Sequence, residues 1–234
     1  MTKKKLLFLG NGRNLTSLAR LDQRFEDLGL EVIKMSAFNG DFPERLEDYD
    51  AIFFSGSAHG AYEDIPFINR EHELIREAAE KNIPMLGICF GSQILASALC
   101  GRDQVFRRTF CEIGYKDLPT TEAARTDLIA KDLPEAVNMF VWHNDEVKAA
   151  HPDMVILAYS DICPNHVWRY KDKPIWGIQG HPEFTAAQAV LWFEENRERM
   201  TLDGADIEEL KASVQEAEIA RTMITNFANL VKAA

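Results

Sequence analysis

The chain begins with an apolar run at residues 6–10 followed by a Gly/Asn-rich stretch at 11–14, which predicts a buried strand and then a turn. Leu18, Leu21, Phe25 and Leu28 recur at helical spacing, with Asn14 or Thr16 as the cap and Gly29 as the stop. Alternation resumes at 30–35 and a third short apolar strand stands at 51–54. Strand, helix and strand in succession imply a right-handed crossover and a parallel sheet. A polar and aromatic connection at 59–68 leads to an amphipathic helix at 69–81, whose charges read as a solvated face. A fourth apolar strand at 84–88 runs into a helix-like segment at 92–99.

Beyond it, 104–108 and 112–118 read as two strands, and 120–133 is polar and helix-compatible. Further strands are expected at 154–159, 167–170 and 174–179, then a helix at 185–199 capped by Thr185, with Val190 and Phe193 on its inner face. Residues 203–234 turn from acidic to apolar, with Ile207, Leu210, Val214, Ile219, Met223, Phe227 and Leu230 near helical spacing. Such a stretch either packs on the domain or serves a partner, and packing is the commoner outcome. With no repeat, low-complexity tract or linker in view, the expectation is one domain over 1–200 with a helical extension, 201–234, packed upon it.

Composition narrows the setting. A length of 234 residues, 46% apolar and 27% charged, suits one large globular domain. The net charge of −11 disfavours nucleic acid and anionic membrane surfaces as partners, and Lys3-Lys4-Lys5 reads as a solvated terminus. The apolar run after it is too short for a signal peptide, and no later stretch is long enough to span a bilayer, so a cytoplasmic location is expected. Cys89, Cys100, Cys111 and Cys163 lack C-x-x-C spacing and are expected as reduced thiols. The six histidines lack H-E-x-x-H or similar spacing, and no cysteine–histidine cluster is evident, so metal-free chemistry without a cofactor is expected.

The chemistry concentrates in two stretches. Gly87-Ile88-Cys89-Phe90-Gly91 has the layout of a nucleophile elbow with cysteine in the serine position. Its glycines permit a tight strand-to-helix turn, and the helix N-terminus favours a thiolate at Cys89. About ninety residues on, I-W-G-I-Q-G-H-P-E-F ends an apolar strand with His181 and Glu183, which face the same way in extended chain. A carboxylate that orients a histidine beside a thiol is the requirement for acyl chemistry. Gly10-Asn11-Gly12 invites a nucleotide-binding reading, but Leu15 stands where a third glycine is needed. His143 and Asp145 read as a hydrogen-bonded structural pair.

G-I-C-F-G-S-Q together with G-H-P-E resembles the class I glutamine amidotransferase family, the Cys-His-Glu type. Phe53-Phe54-Ser55-Gly56-Ser57 resembles that family's glycine-rich oxyanion loop, and the resemblance spans residues 6–200. Within the family, the oxyanion loop and I-Q-G-H-P-E-F are most similar to stand-alone γ-glutamyl peptidases and free-standing relatives of the GMP synthase glutaminase domain. The resemblance implies an α/β fold, doubly wound, with a mostly parallel sheet between helices in a flavodoxin-like three-layer arrangement and a small antiparallel addition. It also implies Cys89 as nucleophile, His181 as base and Glu183 as its support, with the Gly56 and Phe90 N–H groups as the oxyanion hole.

Further roles rest on the resemblance as well. Gln93 and Ser57 would contact substrate, with Ser57 standing where the family often has proline, and Cys111-Glu112-Ile113-Gly114-Tyr115 resembles the segment that holds the substrate's amino-acid end. His143 and Asp145 match a His-x-Asp that is structural or lines the site. The expected activity is hydrolysis of a γ-glutamyl amide, glutamine or a γ-glutamyl peptide or conjugate, through a thioester. One alternative is a glutaminase subunit that passes ammonia to a synthetase partner on another polypeptide, because these residues provide no ATP-binding acceptor domain. The other is a catalytically silent binding relative, against which the complete Cys89, His181 and Glu183 set argues.

Overall fold

The computed structural model describes residues 2–15, 18–148 and 151–234. In chain order the elements are β1 (Lys5–Gly10), α1 (Leu21–Asp27), β2 (Glu31–Ser36), β3 (Ala51–Phe54), α2 (Pro66–Glu80), β4 (Met85–Ile88), α3 (Phe90–Cys100), β5 (Val105–Pro119) and β6 (Ala136–Val147). Then come β7 (Met154–Ala158), β8 (Val167–Tyr170), β9 (Ile175–Ile178), α4 (Ala186–Glu195), α5 (Arg197–Leu202), α6 (Ile207–Ala212) and α7 (Glu218–Ala233).

Alternation along the strands splits the core into two layers. Leu6, Phe8, Phe53, Leu86, Trp176 and Ile178 face one side of the sheet and pack with Phe25 of α1 and Phe227 of α7. Leu7, Leu9, Ile52, Phe54, Met85 and Ile175 face the other and pack with α2 and α3. Strands buried on both faces must be apolar at every position, which explains the uninterrupted apolar runs. Each fully buried large side chain stabilises the fold by about 1.5–3 kcal/mol. The seven strands run β2-β1-β3-β4-β9-β8-β7, parallel from β2 to β9 and antiparallel at β8 and β7. β5 and β6 form a separate antiparallel pair. This is the doubly wound α/β architecture with an antiparallel addition that the family resemblance implies.

Several local expectations are corrected. The first helix begins at Leu21, behind an Arg20 in left-handed conformation with no side-chain cap; Thr16 lies outside the described residues, and Leu18 sits in a turn. The two strands expected over 104–118 are one, β5, with a shift of register between Arg107 and Glu112, because β6 pairs with both parts. Residues 120–133 hold only a short 3-10 turn at Glu122–Thr126. There the buried Asp127 carboxylate accepts from the N–H groups of Ile129 (2.9 Å) and Ala130 (3.2 Å) and from the Trp176 indole, a local alternative to helix. The helix expected over 185–199 divides at Asn196, whose side chain donates to the Trp192 carbonyl at 2.9 Å. The Thr185 cap is present as a full capping box with Gln188. Among the described residues, no helix is long and apolar enough to cross a membrane.

Candidate active site

Cys89 stands between the last residue of β4 and the first of α3, with φ 56° and ψ −113°. A non-glycine residue in that region carries roughly 1–3 kcal/mol of strain and persists only where its surroundings hold it. Two features do so. The Cys89 N–H donates to the Ile178 carbonyl of β9 at 2.8 Å, and the flanking chain packs too closely for side chains. A Cβ on Gly87 would lie 2.2 Å from the Gly91 carbonyl oxygen, and one on Gly91 would lie 2.1 Å from that of Phe54. The elbow therefore requires both glycines by contact.

The Cys89 side chain is half-buried and opens onto a cleft of about 850 Å³, which His181 and Glu183 also line. His181 is fixed through its backbone, whose N–H donates to Phe140 of β6 at 2.8 Å, and its ring packs near Phe140, Phe184 and Trp192. Its Nδ1 lies 2.9 Å from Glu183 Oε1, which leaves Nε2 for Cys89. Burial opposes a charged imidazole here, but Glu183 and Cys89 together outweigh it, and the His181 pKa is raised to about 10. The next carbonyl, of Phe184, accepts from the buried Arg221 of α7 at 2.8 Å, so the C-terminal helix braces this segment directly.

The loop at Ser55–Ser57 faces the same cleft. Ser55 is held by Asn11, whose N–H donates to Ser55 Oγ (2.9 Å) and whose side-chain amide donates to the Ser55 carbonyl (3.2 Å). The 10–12 turn therefore buttresses this loop. Gly56 is close enough to Cys89 that an added Cβ would come within 3.9 Å of the cysteine's own. Ser57 Oγ accepts from the His59 N–H at 3.2 Å, which stiffens the loop where proline would otherwise do so. The Phe90 side chain is buried in the core, leaving its main chain at the start of α3. Beneath Asn11 lies Glu71 of α2, fully buried and with both carboxyl oxygens unpartnered, as is Asn11 Oδ1. Burial pushes its pKa up to about 8, and a proton on Glu71 supplies a donor for Asn11 Oδ1.

Gln93 lines the cleft, but its amide donors are committed to the Asp145 carbonyl (2.9 Å) and to Gln179 Oε1 (3.1 Å). Glu112, Ile113 and Gly114 are not brought to the cleft. They pair opposite His143, Trp142 and Val141 of β6, and the Glu112 carboxylate turns to His143 Nε2 at 2.9 Å. His143 and Asp145 both line the cleft, although Asp145 does not bond the His143 ring through its side chain; its main-chain carbonyl does. Sequence reasoning missed Arg13, Arg107, Trp142, Trp192 and Arg199 as walls, with Arg199 stacked over Trp142 at 4.9 Å. It also missed a gathering of Cys163 and His166 with Glu112 and His143, so the expectation of no cysteine–histidine cluster is corrected. The C-x-x-H spacing at 163–166 is the signal that points to it.

The family model described as "Glutamine amidotransferase class-I" matches residues 15–194. The chain is 32% identical over 180 residues to the glutamine-hydrolyzing GMP synthase subunit of Picrophilus torridus, covering 76% of this chain and 89% of that one. It is 31% identical over 162 residues to "Gamma-glutamyl peptidase 4" of Arabidopsis thaliana, covering 68% and 64%. Among solved structures, a glutamine amidotransferase from Thermotoga maritima superposes with a TM-score of 0.85 over the whole of both chains at 23% identity, a likeness of fold.

Proposed function

The chain belongs to the class I glutamine amidotransferases, and we propose that it hydrolyses a γ-glutamyl amide, either glutamine or a γ-glutamyl peptide or conjugate, through a thioester on Cys89. The observation that carries this reading is His181, which lies between the Glu183 carboxylate and Cys89 at the wall of one cleft.

In the proposed reaction the Cys89 sulfur, as thiolate, attacks the γ-carbonyl carbon. A C–S bond forms and the carbonyl oxygen takes the negative charge. The Gly56 and Phe90 N–H groups receive that oxygen; one such donor is worth about 2.7–4 kcal/mol in comparable sites. Imidazolium His181 gives its Nε2 proton to the leaving nitrogen as the C–N bond breaks, and the amine departs. His181, now neutral, takes a proton from water, which attacks the thioester; the C–S bond breaks, glutamate leaves and Cys89 is regenerated. Glu183 holds the Nδ1–H tautomer throughout and stabilises the charged ring. The segment 201–234 is proposed as part of the same folding unit, on the strength of Arg221 bonding Phe184 and of Phe227 packing 6.3 Å from Phe25.

A second reading has its own support. The relatives named as glutamine-hydrolyzing GMP synthase subunits favour release of ammonia to a separate synthetase chain, whereas the γ-glutamyl peptidase relative favours self-sufficient hydrolysis. The deciding experiment compares glutamine with a panel of γ-glutamyl peptides and amides on the purified chain, with Cys89→Ala as the blank. Fast Cys89-dependent cleavage of γ-glutamyl conjugates, with glutamine poor, is the expected result. Activity on glutamine alone, and only after a partner fraction is added, establishes the ammonia-delivering form. Turnover unchanged in Cys89→Ala refutes the thioester, and failure of a glutamine-mimicking electrophile to label Cys89 restores the silent binding relative.

A further inference from the structure

Glu112 on β5, His143 on β6, and Cys163 and His166 between β7 and β8 are all buried, and one ligand-type atom of each lies within 4.8 Å of the others. The thioester chemistry makes no use of them. Three segments distant in sequence thus deliver a thiol, two imidazoles and a carboxylate to one buried point behind the cleft wall that His143 lines.

The hydrogen bonding there is incomplete. His143 Nδ1 lies 3.0 Å from the Asp145 carbonyl, which can only accept, so Nδ1 carries hydrogen and Nε2 turns inward. That Nε2 faces Glu112 Oε2 at 2.9 Å. A neutral imidazole and a carboxylate are both acceptors in this arrangement and require a positive charge between them. His166 Nε2 lies 3.2 Å from Ser160 Oγ, which itself donates to Glu112 Oε1, and approaches Glu112 Oε2 at 3.4 Å, while its Nδ1 is buried with no hydrogen-bond partner at all.

We propose that Glu112, His143, Cys163 and His166 bind a divalent transition-metal ion, zinc by preference, in a closed four-coordinate site that pins the β5–β6 pair to the β7–β8 loop. Zinc takes this mixture of sulfur, nitrogen and oxygen ligands in tetrahedral geometry, and bond lengths of about 2.0–2.3 Å place ligand atoms roughly 3.3–3.7 Å apart. The two histidine–glutamate distances already lie within a few tenths of an ångström of that range, and the widest separation would close by roughly 1 Å. The Asp145 carbonyl on His143 Nδ1 supplies the outer bond that fixes a ligating imidazole. Charge agrees as well. The Arg108 guanidinium is drawn off by Glu146 and by the Ile162 carbonyl at 2.7 Å. Were Cys163 to bind as thiolate, releasing its proton, it would with Glu112 and Glu146, set against Arg108, present two negative charges for a divalent ion to neutralise. Because the Phe140 carbonyl of β6 receives the His181 N–H, a metal here would also steady the strand on which the candidate base leans.

The test uses the full chain, stripped with a chelator and then titrated with zinc against a chromophoric competitor, with metal content measured by mass spectrometry. About one zinc per chain is expected in the wild type and in Cys89→Ala, with loss in both Cys163→Ser and His166→Gln. Cobalt substitution should give a thiolate-to-metal charge-transfer band that persists in Cys89→Ala, a readout that does not depend on the other variants folding. Zinc should raise the wild-type Tm. Absence of zinc and cobalt uptake by the folded wild type overturns the proposal and leaves an imidazolium–carboxylate pair at His143. Uptake abolished by Cys89→Ala overturns it too, because the metal then sits on the cleft thiol.

Discussion

The molecule contains two groupings of cysteine, histidine and glutamate, and they differ in almost everything except composition. In the first, Cys89 has a strained backbone, a half-exposed side chain and a cleft in front of it. In the second, Cys163 is fully buried, is absent from the four described non-glycine residues with positive φ, and has no opening in front of its sulfur. His181 is pushed towards its charged form by Glu183 and Cys89, whereas burial lowers His166 below the ordinary histidine value despite Glu112. Reactivity thus follows from backbone placement and access rather than from which side chains are present. In the functions proposed for them, the same three residue types serve attack where substrate can reach them and cohesion where it cannot.

The sharpest way to break this contrast is at the carboxylates. Glu183→Gln removes the anion that holds the His181 tautomer, and turnover should fall roughly 10²- to 10⁴-fold, as for other triads that lose their acid. The sign of the pH effect follows from the raised His181. Glu183 and Cys89 together keep the imidazolium up to about pH 10 instead of the ordinary 6.5, so loss of Glu183 should move the alkaline limb of the activity profile part of the way to lower pH. The pair's contribution to folding is complete below about pH 6.5 and is lost as pH rises through about 10. Wild-type kinetics and an unmoved alkaline limb in Glu183→Gln would remove Glu183 from the mechanism. Glu112→Gln, by contrast, should act on thermal stability and metal content.

A smaller effect tests the backbone half of the contrast. Gly91→Ala places a Cβ 2.1 Å from the Phe54 carbonyl oxygen, backbone against backbone, with no flexible side chain to yield. A loss of about 1–3 kcal/mol of stability is expected, together with reduced alkylation of Cys89 as the elbow shifts. Denaturant unfolding and the iodoacetamide rate measure the two separately. Unchanged values for both would show that the turn does not depend on this close approach.

How much of this was legible follows from distance along the chain. The Cys89 elbow lies within five residues and His181 with Glu183 within three, so local geometry makes both visible in sequence. The parallel, two-sided character of the central strands follows from apolar runs that must be buried on both faces, whereas their order in the sheet does not. The cleft walls do not read this way, because Trp192 of α4 and Arg199 of α5 reach the cleft beside Trp142 of β6, some fifty residues earlier in the chain, and no local pattern joins them. The second cluster joins Glu112, His143 and the 163–166 loop; the C-x-x-H spacing reports the loop's two members, and no local pattern reports their meeting with Glu112 and His143. On α2, periodicity assigns the charges to a solvated face, yet Glu71 and His72 are buried, since tertiary contact decides which face α2 presents.

Glu71 sharpens the comparison at its smallest scale, because it is buried like the second grouping but coupled to the first through Asn11 and Ser55. Its pKa of about 8, against an ordinary 4.5, means that the folded state holds a proton the unfolded chain has already released. The associated stability is fully present below about pH 4.5 and is lost as pH rises through about 8, by roughly 1.4 kcal/mol per pH unit inside that window. Glu71→Gln keeps a donor for Asn11 Oδ1 and cannot ionise, so denaturant unfolding between about pH 6 and 7 should lose this one-proton slope. If the slope is the same in both proteins, Glu71 is ionised in the fold and its two oxygens have found donors. If it disappears, the loop that presents Gly56 rests on a neutral carboxylic acid, and raising the pH loosens it from beneath while His181 is still charged.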